Sequence, residues 1–248
     1  MLEWISPVDY ISQHNDYEAR GEPRSRKWLF ESSEYTQWVN KKGGILLCPG
    51  TPGSGKTITT AMITKDIQTM IGNDKDRRVV NVYCTYQRRD QETNELLCSF
   101  LRASLERGAR TPLEISQAFE ASQSQRRPFD RGKVIDFLAL SLSGLSRAYI
   151  LVDGLDELEA HVMRDFLRVL VKLHDKCESN LLLTTRHYVD VQPYFQGKRT
   201  TTVEIRASDQ DVRLYLSRNL SQLPRFVATD NTLKNEIIDR IVNASSGM

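Results

Sequence analysis

The stretch from Cys48 to Ile63, "CPGTPGSGKTITTAMI", constrains the fold more than any other part of the chain. Gly50, Gly53, Gly55, Lys56 and Thr57 fit G-x-x-x-x-G-K-[ST], the pattern of a phosphate-binding loop. Glycines let such a loop fold tightly, so that several backbone N–H groups point at one anion. The helix that follows adds its unpaired N-terminal amides and the positive end of its dipole. Lys56 is then placed to reach the β- and γ-phosphates, and the Thr57 hydroxyl to ligate Mg²⁺. Thr51, Pro52 and Ser54 complete the candidate nucleotide-binding set. The flanks agree with this reading. "GILLC", Gly44 to Cys48, is a short apolar run that reads as a buried strand. After the loop, Ile58, Met62, Ile67 and Met70 recur at helical spacing. The alternative, a Gly/Pro-rich surface turn, is disfavoured by the strand and helix on either side.

A phosphate loop needs a carboxylate at a neighbouring strand end to hold hydrated Mg²⁺. "YILVDGLDELE" supplies one. Four apolar residues, Tyr149 to Val152, lead to Asp153, at the strand's carboxyl end where open α/β sheets bind ligands. Gly154 allows a sharp turn there. Asp156 or Glu157 is then placed to orient or deprotonate an attacking water. The competing reading makes these two acids N-terminal charge on the next helix, which its dipole favours. A third run, "NLLLTTRHY", ends a strand in Thr184, Thr185 and Arg186. Arg186 either faces the γ-phosphate and reports its presence, or pairs with a nearby acid or is left in solvent.

Elsewhere the chain alternates strand and helix signals. Apolar runs occur at 44–48, 79–84, 148–152, 180–184 and 201–205. Helical stripes lie between them, marked by Leu96, Leu97, Phe100, Leu101 and Leu105, by Val134, Phe137 and Leu138, and by Val162, Phe166, Leu170 and Leu173. Such alternation predicts a parallel sheet covered on both faces. The continuous apolar character of the runs agrees with burial on both sides. Residues 1–43 form a polar lead-in with Trp4, Trp28 and Trp38, and "ESSEYTQWV" offers a Ser cap to a short amphipathic helix. Residues 44–206 form the core. Residues 207–248 read as the start of a small helical subdomain, where Ser208 and Asp211 suggest a capping box and Val212, Tyr215 and Leu216 a buried face. "SQSQRRP", Ser122 to Pro128, is the candidate flexible loop.

Composition narrows the function class. The 248 residues are 40% apolar, enough for a real core, and the net charge is +2, so nothing global points to nucleic acid or an anionic membrane. The pairs Arg77-Arg78, Arg88-Arg89 and Arg126-Arg127 lack interleaved aromatics and read as solvated loop surface. No apolar run reaches transmembrane length, and the start does not resemble a signal peptide. Cys48, Cys84, Cys98 and Cys177 form no C-x-x-C pair and read as reduced thiols of a cytoplasmic protein. The four scattered histidines suggest no metal site. The guanine-reading N-K-x-D motif is absent, and "NDKD" at Asn73 has the wrong order. About ninety-five residues separate Thr57 from Asp153, which fits the ATPase branch that inserts a strand between those two.

"LLCPGTPGSGKT", "YILVDGLDELE" and "LLLTTR" together resemble the NACHT domain of the STAND NTPases, in particular the nephrocystin-like NACHT domain of fungal NLR-like proteins. "WLFESSEYTQWV" and "VYCTYQRRDQETNELLCSFLRASL" look like that family's lead-in and its second strand with the following helix. The resemblance covers about residues 25 to 248. It implies an αβα P-loop fold with a five-stranded parallel sheet in the order five-one-four-three-two, followed by helices. It also implies a switch that is closed with a diphosphate and self-associates with a triphosphate. By the same likeness Lys56 and Thr57 bind phosphate and Mg²⁺, Asp153 holds Mg²⁺, Asp156 supports hydrolysis and Arg186 is the sensor. Two departures stand out. Ser25-Arg26-Lys27 precedes Trp28 where the family often has Gly-Thr, which puts base preference in question. The sequence also ends at "ASSGM", short of the family's lid helix, as in a core of a longer protein or a truncated product.

The leading expectation is therefore a nucleotide-binding switch, for ATP or GTP with Mg²⁺, hydrolysing slowly. Its partners would be copies of itself or downstream domains, and neither nucleic acid nor membrane. A scaffold merely stabilised by its nucleotide is the second reading. A P-loop kinase is the third, and explains neither the D-G-L-D-E run nor the helical tail.

Overall fold

The computed structural model describes residues 1–8, 10–22, 25–85, 92–106, 111–125, 129–220, 227 and 230–245. Five strands carry the core: β1 (Ile45–Pro49), β2 (Arg77–Tyr83), β3 (Arg147–Asp153), β4 (Asn180–Thr185) and β5 (Thr200–Thr202). They form one sheet in the order β2-β3-β4-β1-β5, and every pairing is parallel. This is the expected order read from the other edge. β4 lies between β1 and β3, so a strand is inserted between the loop strand and the Asp153 strand, and β2 occupies part of the long gap between Thr57 and Asp153. β5 is shorter than its apolar run. Its pairing continues as single bonds, Val203 N–H to the Leu47 carbonyl at 2.9 Å and Ile205 N–H to the Pro49 carbonyl at 2.7 Å.

Alternation along each strand divides the core in two. Ile45, Leu47, Val80, Val82, Ile150, Val152, Leu181 and Leu183 face one side. There they meet α6 (Thr93–Glu106), α8 (Arg131–Ser143) and α9 (Ala160–Cys177). Leu46, Cys48, Val79, Tyr149, Leu151 and Leu182 face the other, against α4 (Ser33–Asn40) and α5 (Lys56–Ile71). A strand buried on both faces has no polar alternation to keep, which is why these runs are apolar throughout. The result is a three-layer αβα arrangement.

Local chemistry sets the helix starts. Ser32 caps α4 by accepting from Tyr35 N–H, and Asp130 caps α8 by accepting from Lys133 N–H. Trp38 on α4 donates from Nε1 to the Leu181 carbonyl at 2.8 Å, which fastens the helix to the sheet. The lead-in also holds α1 (Leu2–Ile5), α2 (Tyr10–Arg20) and α3 (Lys27–Phe30). Ile5 and Tyr10 join the larger core, and Trp4 stacks edge-on against Phe119 of α7 (Leu113–Gln125) and Phe129. After β5 come α10 (Asp209–Asn219) and α11 (Asn231–Ser245), joined by a small cluster of Leu220, Ile238 and Val242. Among the described residues no helix is long and apolar enough to cross a membrane.

Four expectations are corrected here. Of the α5 stripe Ile58, Met62, Ile67 and Met70, only Ile67 is buried: Ile58 and Met62 are half-buried, Met70 is exposed, and Ala61, Ile63 and Thr64 join Ile67 on the buried face. Arg77-Arg78 is not a solvated loop. Arg78 lies in β2, buried, and donates to the Ser104 carbonyl at 2.7 Å. Tyr215 does not help bury the tail and is exposed. The start of the candidate loop, residues 122–125, is not loop but the end of α7, while Arg88-Arg89, Arg126-Arg127 and the rest of that loop at 126–128 lie outside the described residues.

Phe166 of α9 is fully buried in the larger core. Phe166→Ala is expected to lower unfolding free energy by about 3–5 kcal/mol, the usual cost of such a cavity. A denaturant midpoint equal to the parent's would show that this face is not packed as described.

Candidate functional site

The loop between β1 and α5 lies at the carboxyl edge of the sheet. Gly53 and Gly55 both have positive φ, +79° and +85°, a backbone that side-chain-bearing residues rarely adopt. Gly50 is required for a different reason. A Cβ there would fall 2.5 Å from the Ile205 carbonyl oxygen and 2.7 Å from Ser54 Oγ. The N–H of Gly50 is anchored to the Thr185 carbonyl at 3.0 Å, so the loop springs from the β1–β4 pair. Lys56 curls back over it, donating from Nζ to the carbonyls of Gly50 at 2.9 Å and Thr51 at 3.1 Å.

Asp153 is the centre of the site. It ends β3 and is 3% exposed. Three hydroxyls donate to its carboxylate: Thr57 at 2.7 Å, Thr60 at 3.0 Å and Thr184 at 2.7 Å. Burial pushes its pKa up, while those bonds and the nearby Lys56 pull it back. Thr184 also accepts from the Gly154 N–H at 2.8 Å, which fixes its hydroxyl toward Asp153. Gly154 has φ +73°, and a Cβ there would lie 3.2 Å from the Cys84 carbonyl. Thr60 and Thr184 were not singled out from sequence as site residues. The spacing of Thr57 and Thr60, one helical turn apart, was the available signal.

Beyond Gly154 a 3-10 turn, Leu155–Glu157, precedes α9. The acids therefore do not serve as first-turn charge on α9. Asp156 turns inward, its side chain 2% exposed, and its Oδ2 pairs with Arg186 Nε at 2.8 Å. Its Oδ1 is buried with no partner among the described residues. Arg186 follows Thr185 at the tip of β4, between the loop strand and the Asp153 strand, and remains 40% exposed. Glu157 is half-buried, its side chain within 3.6 Å of the space beside Gly154. The Cys84 thiol, just past the end of β2, records this crowding of acids. Burial raises its pKa well above the usual value, and Asp153, Glu157 and Asp156 raise it further.

The arrangement fits a triphosphate and Mg²⁺. A hydroxyl and a carboxylate side by side are hard oxygen donors suited to that ion. Ser54 Oγ, within the loop, and Thr185 Oγ1, at the end of β4, are also buried with no partner among the described residues. Buried polar atoms are rarely left unpaired in folded proteins. Beside the loop lies a cavity of about 700 Å³, walled by Arg26, Gly53, Gly55, Ile58, Asp211 and Tyr215. Arg26 and Asp211 face each other there. They join the lead-in to the start of α10, and sequence reading had not linked them.

Comparison with known proteins bears on the family and the fold. The family model described as Nephrocystin 3, N-terminal, matches residues 24–186, from the lead-in to Arg186. No curated protein matches the chain. The Aeropyrum pernix ORC1 protein in complex with DNA superposes with a TM-score of 0.54 at 15% identity, over 89% of this chain and 53% of that one. A Walker-type ATPase of Pyrococcus abyssi gives 0.51 at 15% identity, over 91% of this chain and 66% of that one. The chain thus spans about half to two thirds of the length of these solved chains. At such identity the likeness is one of fold, that of a P-loop NTPase.

Proposed function

The chain belongs to the nephrocystin 3 N-terminal family, and from that premise we propose that it binds a nucleoside triphosphate with Mg²⁺ and acts as a slowly hydrolysing molecular switch of the NACHT type. One observation carries the reading: the Thr57 hydroxyl, on the helix after a glycine loop, meets the Asp153 carboxylate at 2.7 Å. These residues are 96 positions apart and belong to different strand–helix units. Their meeting beside the loop is what phosphate and metal recognition needs. Partners of the same reading are copies of the chain or further domains in a cytoplasmic signalling protein.

The residues divide the work. The amides of the loop and of the first turn of α5 face the phosphates, and Lys56 exchanges its two carbonyl contacts for phosphate oxygens. Mg²⁺ bound by Thr57 and Asp153 would supply neutralisation of phosphate charge. Asp156 holds Arg186 with one oxygen and keeps Oδ1 for a water proton. Arg186 at the β4 tip reads the γ-phosphate. The cavity beside the loop receives the base and ribose, with ATP and GTP both open.

The Asp156–Arg186 pair changes what variants should show. Arg186→Ala is expected to weaken ATP and spare ADP, since only ATP presents the group it reads. Asp156→Asn is expected to slow hydrolysis and also to shift ATP affinity, because it releases Arg186. Matched ATP and ADP titrations, with single-turnover hydrolysis, check both. Equal shifts for the two nucleotides in Arg186→Ala would make the residue structural only.

A further inference from the structure

We propose that Arg26 is a positioning residue that sets the shape of the phosphate-binding loop, and that Asp211 secures it there. The proposal rests on the phosphate-site reading above. Arg26 carries two costs at once. It is 6% exposed, and it has φ 60°, left-handed backbone that a non-glycine residue adopts rarely. Such conformations persist where surrounding contacts over-determine them.

Those contacts are specific. Arg26 Nη2 donates to the Ser54 carbonyl, inside the loop, at 2.7 Å. Nη1 donates to the Arg206 carbonyl at 2.6 Å and to Asp211 Oδ2 at 3.3 Å. The Arg26 backbone N–H donates to Asp211 Oδ1 at 2.7 Å. The planar fork of arginine spans these acceptors at once, which an ammonium does not. Gly55 makes room for it: a Cβ at that position would stand 2.2 Å from Nη2. The guanidinium is therefore wedged against the loop's second positive-φ glycine.

Asp211 serves two masters with one carboxylate. It is the third residue of α10 and closes the capping box, accepting from Ser208 N–H at 3.1 Å while its own N–H donates to Ser208 Oγ at 3.1 Å. The same group holds Arg26. Burial alone would raise its pKa, but these hydrogen bonds and the Arg26 charge hold it below the usual carboxylate range. Among the described residues the hydrogen bonds of Asp211 reach the loop through Arg26, which donates to the Ser54 carbonyl. The cavity wall formed by Arg26, Gly53, Gly55 and Asp211 puts any bound ligand against both ends of this link.

The test uses the full chain, a non-hydrolysable ATP analogue with Mg²⁺, and amide hydrogen exchange. Arg26→Gln and Asp211→Asn are each expected to weaken the analogue by about tenfold, within the usual range of coupling between sites. The double variant should lose no more than the worse single one, since both act on one link. Without ligand, the amides of residues 53–57 should exchange faster in both variants while the sheet stays protected. With ligand, the amides of α10 should be protected in the parent and not in Asp211→Asn. Arg213→Ala, which breaks the exposed Arg213–Asp239 pair in the same tail, should change none of these. If Arg26→Gln does not fold, Arg26→Lys keeps the charge without the fork and is expected to show the same loop exchange. Additive losses, or loop exchange equal to the parent's, would overturn the proposal. If the parent binds no nucleotide, the functional reading falls, and the exchange comparison by itself decides the role of Arg26.

Discussion

Lys56→Ala is expected to lower triphosphate affinity by about tenfold to a hundredfold, the value of one or two charge-assisted contacts to phosphate. The ammonium lies on the Gly50 and Thr51 carbonyls at 2.9 and 3.1 Å, so it is already at the loop and has only to change acceptors. Thr51 is half-buried, and water is expected to take the place of the lost donor at its carbonyl in the variant. Lys56 belongs to neither core cluster. The thermal midpoint should therefore stay close to the parent's. Calorimetric titration of the Mg²⁺–nucleotide complex into both proteins checks the affinity, and equal values would sink the assignment of this loop.

Asp153→Asn is expected to abolish most of the Mg²⁺ dependence of binding without costing stability. The carboxylate is buried and burial opposes its charge. It is retained by three hydroxyl donors, from Thr57, Thr60 and Thr184. The amide keeps the shape but turns one oxygen into a donor, so one hydroxyl must rotate to accept. Removing a buried charge offsets that loss, and the unfolding midpoint should hold or rise. Function falls because a neutral amide no longer holds a divalent ion. Titrations with and without EDTA, on parent and variant, decide the matter. If EDTA weakens both proteins by the same factor, Asp153 is not the metal residue.

Much of this was legible in the chain itself. The glycine loop, the Asp153 strand end and the Arg186 strand end lie in three short segments whose chemistry is local. Loop amides, a lysine and a carboxylate after an apolar run have the same meaning wherever the strands fall. The five apolar runs were legible because a parallel sheet buries both faces and removes the polar alternation that hides other strands. The caps at Ser32 and Ser208 were legible because a cap is a contact across three residues.

Other features escaped because burial does not follow polarity near the site. Thr59, Thr60 and Thr64 are buried on α5; Thr59 and Thr64 return their hydroxyls to the carbonyl one turn back, and Thr60 shares its one proton between the Lys56 carbonyl and Asp153. A hydropathy stripe counts such residues as surface, so it rotated the helix toward Ile58, Met62 and Met70. Arg78 was misread for a similar reason, since its burial depends on a carbonyl of α6 that only packing brings near.

The sequence by itself determined the loop, the strand ends and the alternation that closes them into a parallel sheet, because each depends on neighbours a few residues away. Only the tertiary structure decided who partners whom. It paired Asp156 with Arg186, gathered three hydroxyls onto Asp153, and set Arg26 between Ser54 and Asp211. Those contacts join residues from 28 to 185 positions apart. Charge and hydrogen-bonding capacity are written in the chain, but the acceptor each donor finds is fixed by folding, which brings distant groups into a site where leaving any of them unpaired is costly.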